Sequence, residues 1–272
     1  MTSLIEIKNC TLMRGETKAL QSVSLSLNSG ESLAVLGPNG SGKSSLLKLM
    51  TRELYPIVSE HASIKLMGQE HFTTQDFRDK TGLVCADLQA SYNTDVLGLE
   101  VVISGFFDSN SLWHHFDITN EHIQKARSAL RFLSIAALAD TPYGNLSTGQ
   151  QRRLLLARAL VKEPEIVVFD EPCAGLDIQA SLTYLDVIDK LAREQKSVIL
   201  VTHDLNEIPP SISRVVLMQN GQILADGDKK DLFTDTQLSQ LFGVSLKVEY
   251  ASGYYQMRPK DYSTQTEHEV ML

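Results

Sequence analysis

Residues 37–44 read Gly37-Pro38-Asn39-Gly40-Ser41-Gly42-Lys43-Ser44, which fits the phosphate-loop pattern of Gly, four residues, Gly-Lys and then Ser or Thr. The glycines free the backbone to curl, so successive N–H groups can face a polyphosphate at the positive end of the following helix. Lys43 is suited to reach β- and γ-phosphates, and the Ser44 hydroxyl to coordinate Mg²⁺; Ser45 completes the binding stretch. The flanks agree with that use. Glu31-Ser-Leu-Ala-Val-Leu36 reads as a short buried strand, and Ser45-Leu-Leu-Lys-Leu-Met50 opens a helical pattern. A glycine-rich turn with a chance Lys-Ser would match on the order of once in a hundred chains of this length, so the strand, loop and helix together predict a nucleotide site.

Upstream, residues 4–9 and 18–27 alternate apolar with polar positions, as in Ser22-Val-Ser-Leu-Ser-Leu-Asn28, and Asn28-Ser-Gly30 ends the second run. Two strands of an antiparallel layer are expected there. Residues 62–67 and 81–86 are further predicted strands, which makes the first 90 residues strand-rich around one helix. From about residue 91 the spacing turns helical: residues 96–107 are apolar at helical intervals, and Ala126, Leu130 and Leu133 follow Thr119-Asn-Glu-His122. The aromatics Phe106, Phe107 and Trp113 in this part are read as core. Beyond Glu165, Ile166-Val-Val-Phe169 and Ser197-Val-Ile-Leu-Val201 are runs typical of parallel strands covered on both faces, with a helix over 178–194 between them. Asn220-Gly221 between two apolar runs signals a hairpin. The pattern predicts an α/β fold: a P-loop NTPase core with a mostly parallel sheet, an antiparallel β subdomain and an inserted α-helical subdomain over about 87–160. One domain is expected over 1–258, followed by a polar, disordered tail over 259–272.

Composition bounds the partners. The chain has 272 residues, 43% hydrophobic and 21% charged, with a net charge of −8, so no broad nucleic-acid footprint is expected. No apolar run reaches the length of a membrane span, and Met1-Thr-Ser-Leu-Ile-Glu6 lacks the regions of a secretory signal. A cytoplasmic location is expected. The cysteines Cys10, Cys85 and Cys173 have no metal-ligand spacing and are read as free thiols.

Two further stretches carry chemistry. Asp170 and Glu171 end the apolar run at 166–169, and carboxyl ends of parallel strands are where ligands bind in open α/β sheets. Beside a phosphate loop, Asp170 would hold Mg²⁺ and Glu171 would orient or deprotonate a water attacking the γ-phosphate; taken alone, the pair reads equally well as an acidic helix start. Leu146-Ser-Thr-Gly-Gln150 precedes a strong helix former. Ser147 or Thr148 as cap and Gly149 for close approach make a second anion-binding helix start, with a plain N-cap as the other reading.

These stretches, with Gly175-Leu176-Asp177 and Thr202-His203-Asp204, occur in the order and spacing of ABC-transporter ATP-binding subunits, which the chain resembles over roughly residues 4–250. The resemblance implies ATP and Mg²⁺ as ligands. It also implies a homodimer in which each ATP lies between one subunit's phosphate loop and the other's Ser147, Gly149 and Gln150. Asp177 would line the interface, His203 would contact the γ-phosphate beside Glu171, and multi-span membrane permease subunits would hold the dimer at the inner face of the cell membrane. Three positions depart from the family pattern. Arg14 stands where an aromatic usually stacks on adenine, and its guanidinium plane can stack too. The Gln that touches Mg²⁺ should fall near Ala86, so Gln89 is the candidate. Cys173 replaces a common Thr or Ser and reads as a buried thiol.

Ser104-Gly-Phe-Phe-Asp-Ser109 with Phe116-Asp-Ile-Thr119 resembles the molybdate and iron-chelate import branch, and Leu241-Phe-Gly243 with the following strands is similar to the iron-chelate type. An importer is therefore expected. The rival is a soluble ATPase of the same fold in repair, translation or cluster assembly, disfavoured because no long coiled coil and no second ATPase copy is present. A non-hydrolysing regulator is disfavoured by Glu171 and His203.

Overall fold

In the computed structural model, which describes residues 3–260, the alternating N-terminal runs form two long antiparallel strands, β1 (Ser3–Arg14) and β2 (Thr17–Asn28). Their inward positions, such as Ile5, Ile7, Leu25 and Leu27, are buried. β3 (Leu33–Leu36) leads through the glycine loop into α1 (Lys43–Met50), and β4 (Ser63–Leu66) returns to pair with β1. Then come α2 (Thr74–Lys80), β5 (Thr81–Val84) and α3 (Ala86–Ala90), so the expectation of a single helix in this part is corrected. α2 buries only Phe77 among its seven residues and rests on a capping box, in which Thr73 and Asp76 satisfy each other's N–H groups. Too little of it is apolar to register as a helical period.

α4 (Gly98–Ile103), α5 (Asn120–Phe132) and α6 (Thr148–Leu160) follow with no strand between them. Phe106 and Phe107 pack against the core, and Phe107 stacks on Phe116 at 4.3 Å. Trp113 does not join them. It is 57% exposed, because it sits in the loop between α4 and α5, where no element covers it. The chain closes with β6 (Ile166–Asp170), α7 (Ile178–Arg193), β7 (Ser197–Thr202), β8 (Arg214–Gln219), β9 (Gln222–Asp228), α8 (Lys229–Leu232), α9 (Asp235–Phe242), β10 (Leu246–Ala251) and β11 (Tyr254–Pro259). Pro259 ends β11 and Lys260 pairs with Asp235 at 3.2 Å, so the expected tail boundary moves past them. The rest of that tail lies outside the described residues.

The central sheet has the order β5-β6-β7-β3-β8-β9, parallel except for the β8–β9 hairpin. Alternate residues divide between two cores, as strand geometry requires. Ala34, Leu36, Val167, Phe169, Val198 and Leu200 face the helical side; Leu33, Val35, Ile166, Val168, Ile199 and Val201 face α1 and the antiparallel layer. Both faces are covered, which is why these strands read as unbroken apolar runs. Among the described residues no helix is long and apolar enough to cross a membrane.

Register sets the heights of the strand ends. Leu36 lies level with Thr202, and Asp170 lies level with Val201. Gly37, Glu171 and His203 therefore leave one edge of the sheet side by side. Phe169, fully buried with its ring edge-on to Tyr184 at 6.0 Å, anchors the β6 end. Phe169→Ala is expected to lower stability by about 3–5 kcal/mol, read as a lower urea midpoint at an unchanged slope.

Candidate functional site

The loop after β3 is built by close approaches. A Cβ on Gly37 would stand 2.2 Å from the Met218 carbonyl oxygen on β8, and Gly42, with φ 107°, caps α1 against Ala19 and Gly221. The Gly221 N–H donates to the Ser41 carbonyl at 2.8 Å, so the hairpin predicted at Asn220-Gly221 braces the loop. Above it opens a cavity of about 700 Å³ walled by Arg14, Asn39, Lys43, Ser44, Ser45 and Glu171, among others. That volume is in the range that holds a nucleotide-sized ligand. Gly40 and Gly42 line it as well, whereas Gly37, Pro38 and the buried Ser41 do not. The Lys43 ammonium donates to the carbonyls of Gly37 at 2.8 Å and Pro38 at 3.1 Å. Burial pulls it below the ordinary lysine range, and the charges of Glu171 and Asp170 oppose that pull.

Asp170 is the last residue of β6. Burial raises its carboxyl above the usual range, Glu171 adds to the effect, and Lys43 counters it. Glu171 turns the chain with φ 48°, a left-handed conformation that costs a non-glycine residue about 1–2 kcal/mol. Its N–H donates to Val201 O at 2.9 Å, and its Oε1 lies 3.4 Å from Nδ1 of His203. Behind His203, the Thr202 hydroxyl donates to Glu207. The glycine loop, the β6 carboxylates and His203 thus lie close together at this end of the sheet.

Gln89 does not join them. Its Oε1 accepts from Arg152 Nε at 3.1 Å and its Nε2 donates to Gln151 at 2.8 Å, so both ends of the amide are committed to α6. Asp87 instead walls a second cavity of about 230 Å³ together with Ser44 and Asp170. The two residues are two positions apart on α3, about 200° around a helix. Asp87 escaped the sequence reading; its signal was an acidic residue just after a strand adjacent to β6.

Ser147, Gly149 and Gln150 also lie outside the glycine-loop cavity. Ser147 caps α6 by accepting from Gln150 N at 3.3 Å, and Gln150 Oε1 accepts from Ser147 N at 2.9 Å. Gly149 lies against Ala180, where a Cβ would come within 2.9 Å, so the starts of α6 and α7 are neighbours. Asp177 caps α7, accepting from Ala180 N at 2.8 Å. Within one chain the plain capping reading is realised at α6, Asp177 caps α7 in the same way, and both caps are exposed.

A family profile described as ABC transporter matches residues 20–174. The chain is 31% identical over 250 residues to "Uncharacterized ABC transporter ATP-binding protein YlmA" of Bacillus subtilis, covering 90% of this chain and 93% of that one. Among solved structures it is similar to "An inward-facing conformation of a putative metal-chelate type ABC transporter", with TM-score 0.79 and 24% identity over 96% of this chain and 98% of that one. It is also similar to the dimeric post-hydrolysis state of the ATP-binding cassette MJ0796 bound to ADP and Pi, with TM-score 0.68 and 25% identity over 82% and 98% of the two chains.

Cys173, two residues past Glu171, is buried as expected. Burial, helped by Glu207, pushes its thiol up to about 12. Only the thiolate reacts, so iodoacetamide at neutral pH should label Cys173 on the order of 10²- to 10³-fold more slowly in the folded protein than in urea. Peptide mass spectrometry reads the difference.

Proposed function

The chain belongs to the ABC transporter family of ATP-binding proteins, a family of ATPases, and from that membership we propose how its own residues bind and hydrolyse ATP. The observation that carries the reading is the convergence of the glycine loop, Glu171 and His203 on one sheet edge. The triphosphate lies along the N–H groups of residues 37–44. Lys43 exchanges its two carbonyl partners for β- and γ-phosphate oxygens, and Asn39 and Ser45 flank the chain of phosphates. Arg14, at the cavity wall, lies against the base.

Ser44, which lines both cavities, and Asp170 would offer a divalent cation hydroxyl and carboxylate oxygens, and Mg²⁺ prefers such oxygen donors. Among the described residues no group of three or more His, Cys, Asp or Glu could hold a metal ion. When bound, Mg²⁺ neutralises charge building on the phosphates. Gln89 has no part in holding it. Glu171 takes the proton of the attacking water, and His203, beside it, keeps the carboxylate and the γ-phosphate in line.

Ser147, Gly149, Gln150 and Asp177 serve a second copy. They do not line their own chain's glycine-loop cavity, and the likeness to a dimeric cassette bound to ADP and Pi supports the arrangement. ATP closes the dimer, with the first turn of α6 over the partner's γ-phosphate, and hydrolysis opens it. The cycle drives multi-span permease subunits through the 86–115 region, which places the subunit on the cytoplasmic face of the membrane. The motifs at 104–109 and 116–119 favour import. The described chain is one ATPase domain with its helical subdomain between β5 and β6.

Glu171→Gln is expected to keep ATP binding, lower turnover by about 10²- to 10⁴-fold and yield a stable dimer on gel filtration with ATP. Turnover near the wild-type rate would remove Glu171 from the reaction. Capture from mild detergent should recover a multi-span membrane protein; recovery of soluble partners alone would favour a role outside transport.

A further inference from the structure

Arg152 lies two residues beyond Gln150 on α6 and is only 6% exposed. Its guanidinium points away from solvent into the gap between α6 and the loop that follows β6. Nη1 donates to the carbonyl of Glu171 at 3.4 Å and closely to that of Pro172; Nη2 donates to Ala174 O at 2.5 Å; Nε donates to Gln89 Oε1. No salt bridge joins it to a carboxylate among the described residues. Burying a charge among neutral acceptors is costly, and a planar fork with five donors is suited to gather several carbonyls at once. An apolar residue would fill the same gap without that cost. What the guanidinium adds is a fixed relation among three segments.

Those segments have different duties. The first turn of α6 carries Ser147, Gly149 and Gln150, which in the proposed dimer serve the partner's nucleotide. The loop at 171–174 carries Glu171, which serves the subunit's own. Gln89 is held in turn by Gln151, and its carbonyl accepts from the Tyr143 hydroxyl at 3.2 Å. We propose that Arg152 is a positioning residue that locks the backbone of Glu171, Pro172 and Ala174 to the start of α6, so that seating this helix on the partner's ATP sets Glu171 over the subunit's own ATP. The inference rests on the dimer reading above. It makes the two nucleotide sites interdependent through one side chain.

The test compares full-length wild-type protein with Arg152→Met and Arg152→Lys, measuring ATPase velocity against ATP concentration and binding of a fluorescent ATP analogue. Displacing a reacting group slightly costs up to about 100-fold in rate. Arg152→Met should therefore lower kcat by about 10- to 100-fold and flatten any sigmoidal dependence on ATP, with KM and analogue affinity changed less than about threefold. Lysine can hold the Pro172 and Ala174 carbonyls but cannot also span to Gln89, so Arg152→Lys should recover part of the loss. A kcat within about twofold of wild type for Arg152→Met, or a loss carried by KM, would overturn the proposal. If Arg152→Met does not fold, Arg152→Lys carries the test, and a wild-type kcat there overturns it equally. Failure of Glu171→Gln to dimerise with ATP would overturn the dimer reading instead, and gel filtration reports that independently of Arg152.

Discussion

Everything at the site depends on the hydrogen-bond register of three neighbouring parallel strands. β3, β7 and β6 are paired so that Leu36, Thr202 and Asp170 lie within one residue of a common height. A parallel ladder has no freedom to slide when both faces are buried, because a one-residue slip would exchange the two cores. Leu36 would then leave the helical core, and Val35 would leave the opposite one. The apolar packing thus fixes the relative position of a glycine loop, a carboxylate pair and a histidine that are far apart in the chain.

On that edge, local chemistry stores strain and charge. Glu171 holds a left-handed backbone while its N–H remains tied to β7, and Asp170 keeps its carboxylate in a half-buried setting against Lys43. Such groups persist only where the surrounding structure over-determines them. Here the surroundings are the strand ladder on one side and the Arg152 guanidinium on the other, which grips the carbonyls just past the turn.

The glycine loop, the buried strands and the Asn220-Gly221 hairpin were legible because each is written in contiguous residues with a local physical cause. α2 was not, since its one buried side chain leaves no periodicity and its stability comes from reciprocal capping. Trp113 was misread because an aromatic's burial is decided by what packs over it. Gln89 was placed by distance along the chain, yet the helical turn of α3 directs it to α6 and leaves Asp87 on the cavity wall with Ser44 and Asp170. Arg152 was hidden for a related reason: within a run of polar and basic residues, nothing local marks which arginine is buried most deeply. The cap at Ser147 was readable as a cap, whereas the Asp177 cap emerged only from the fold, and the interface role of both was implied by resemblance.

The two carbonyls that hold Lys43 have an effect beyond stability. With its own backbone as partner, the ammonium already has two tethered acceptors, at 2.8 and 3.1 Å, and an arriving anion competes with them for the lysine. A compact, singly charged ion has little with which to do so, while a polyphosphate brings several oxygens and more charge to the same exchange. On the proposed reading of the site, the exchange therefore favours a ligand that offers several anionic oxygens over one that offers few.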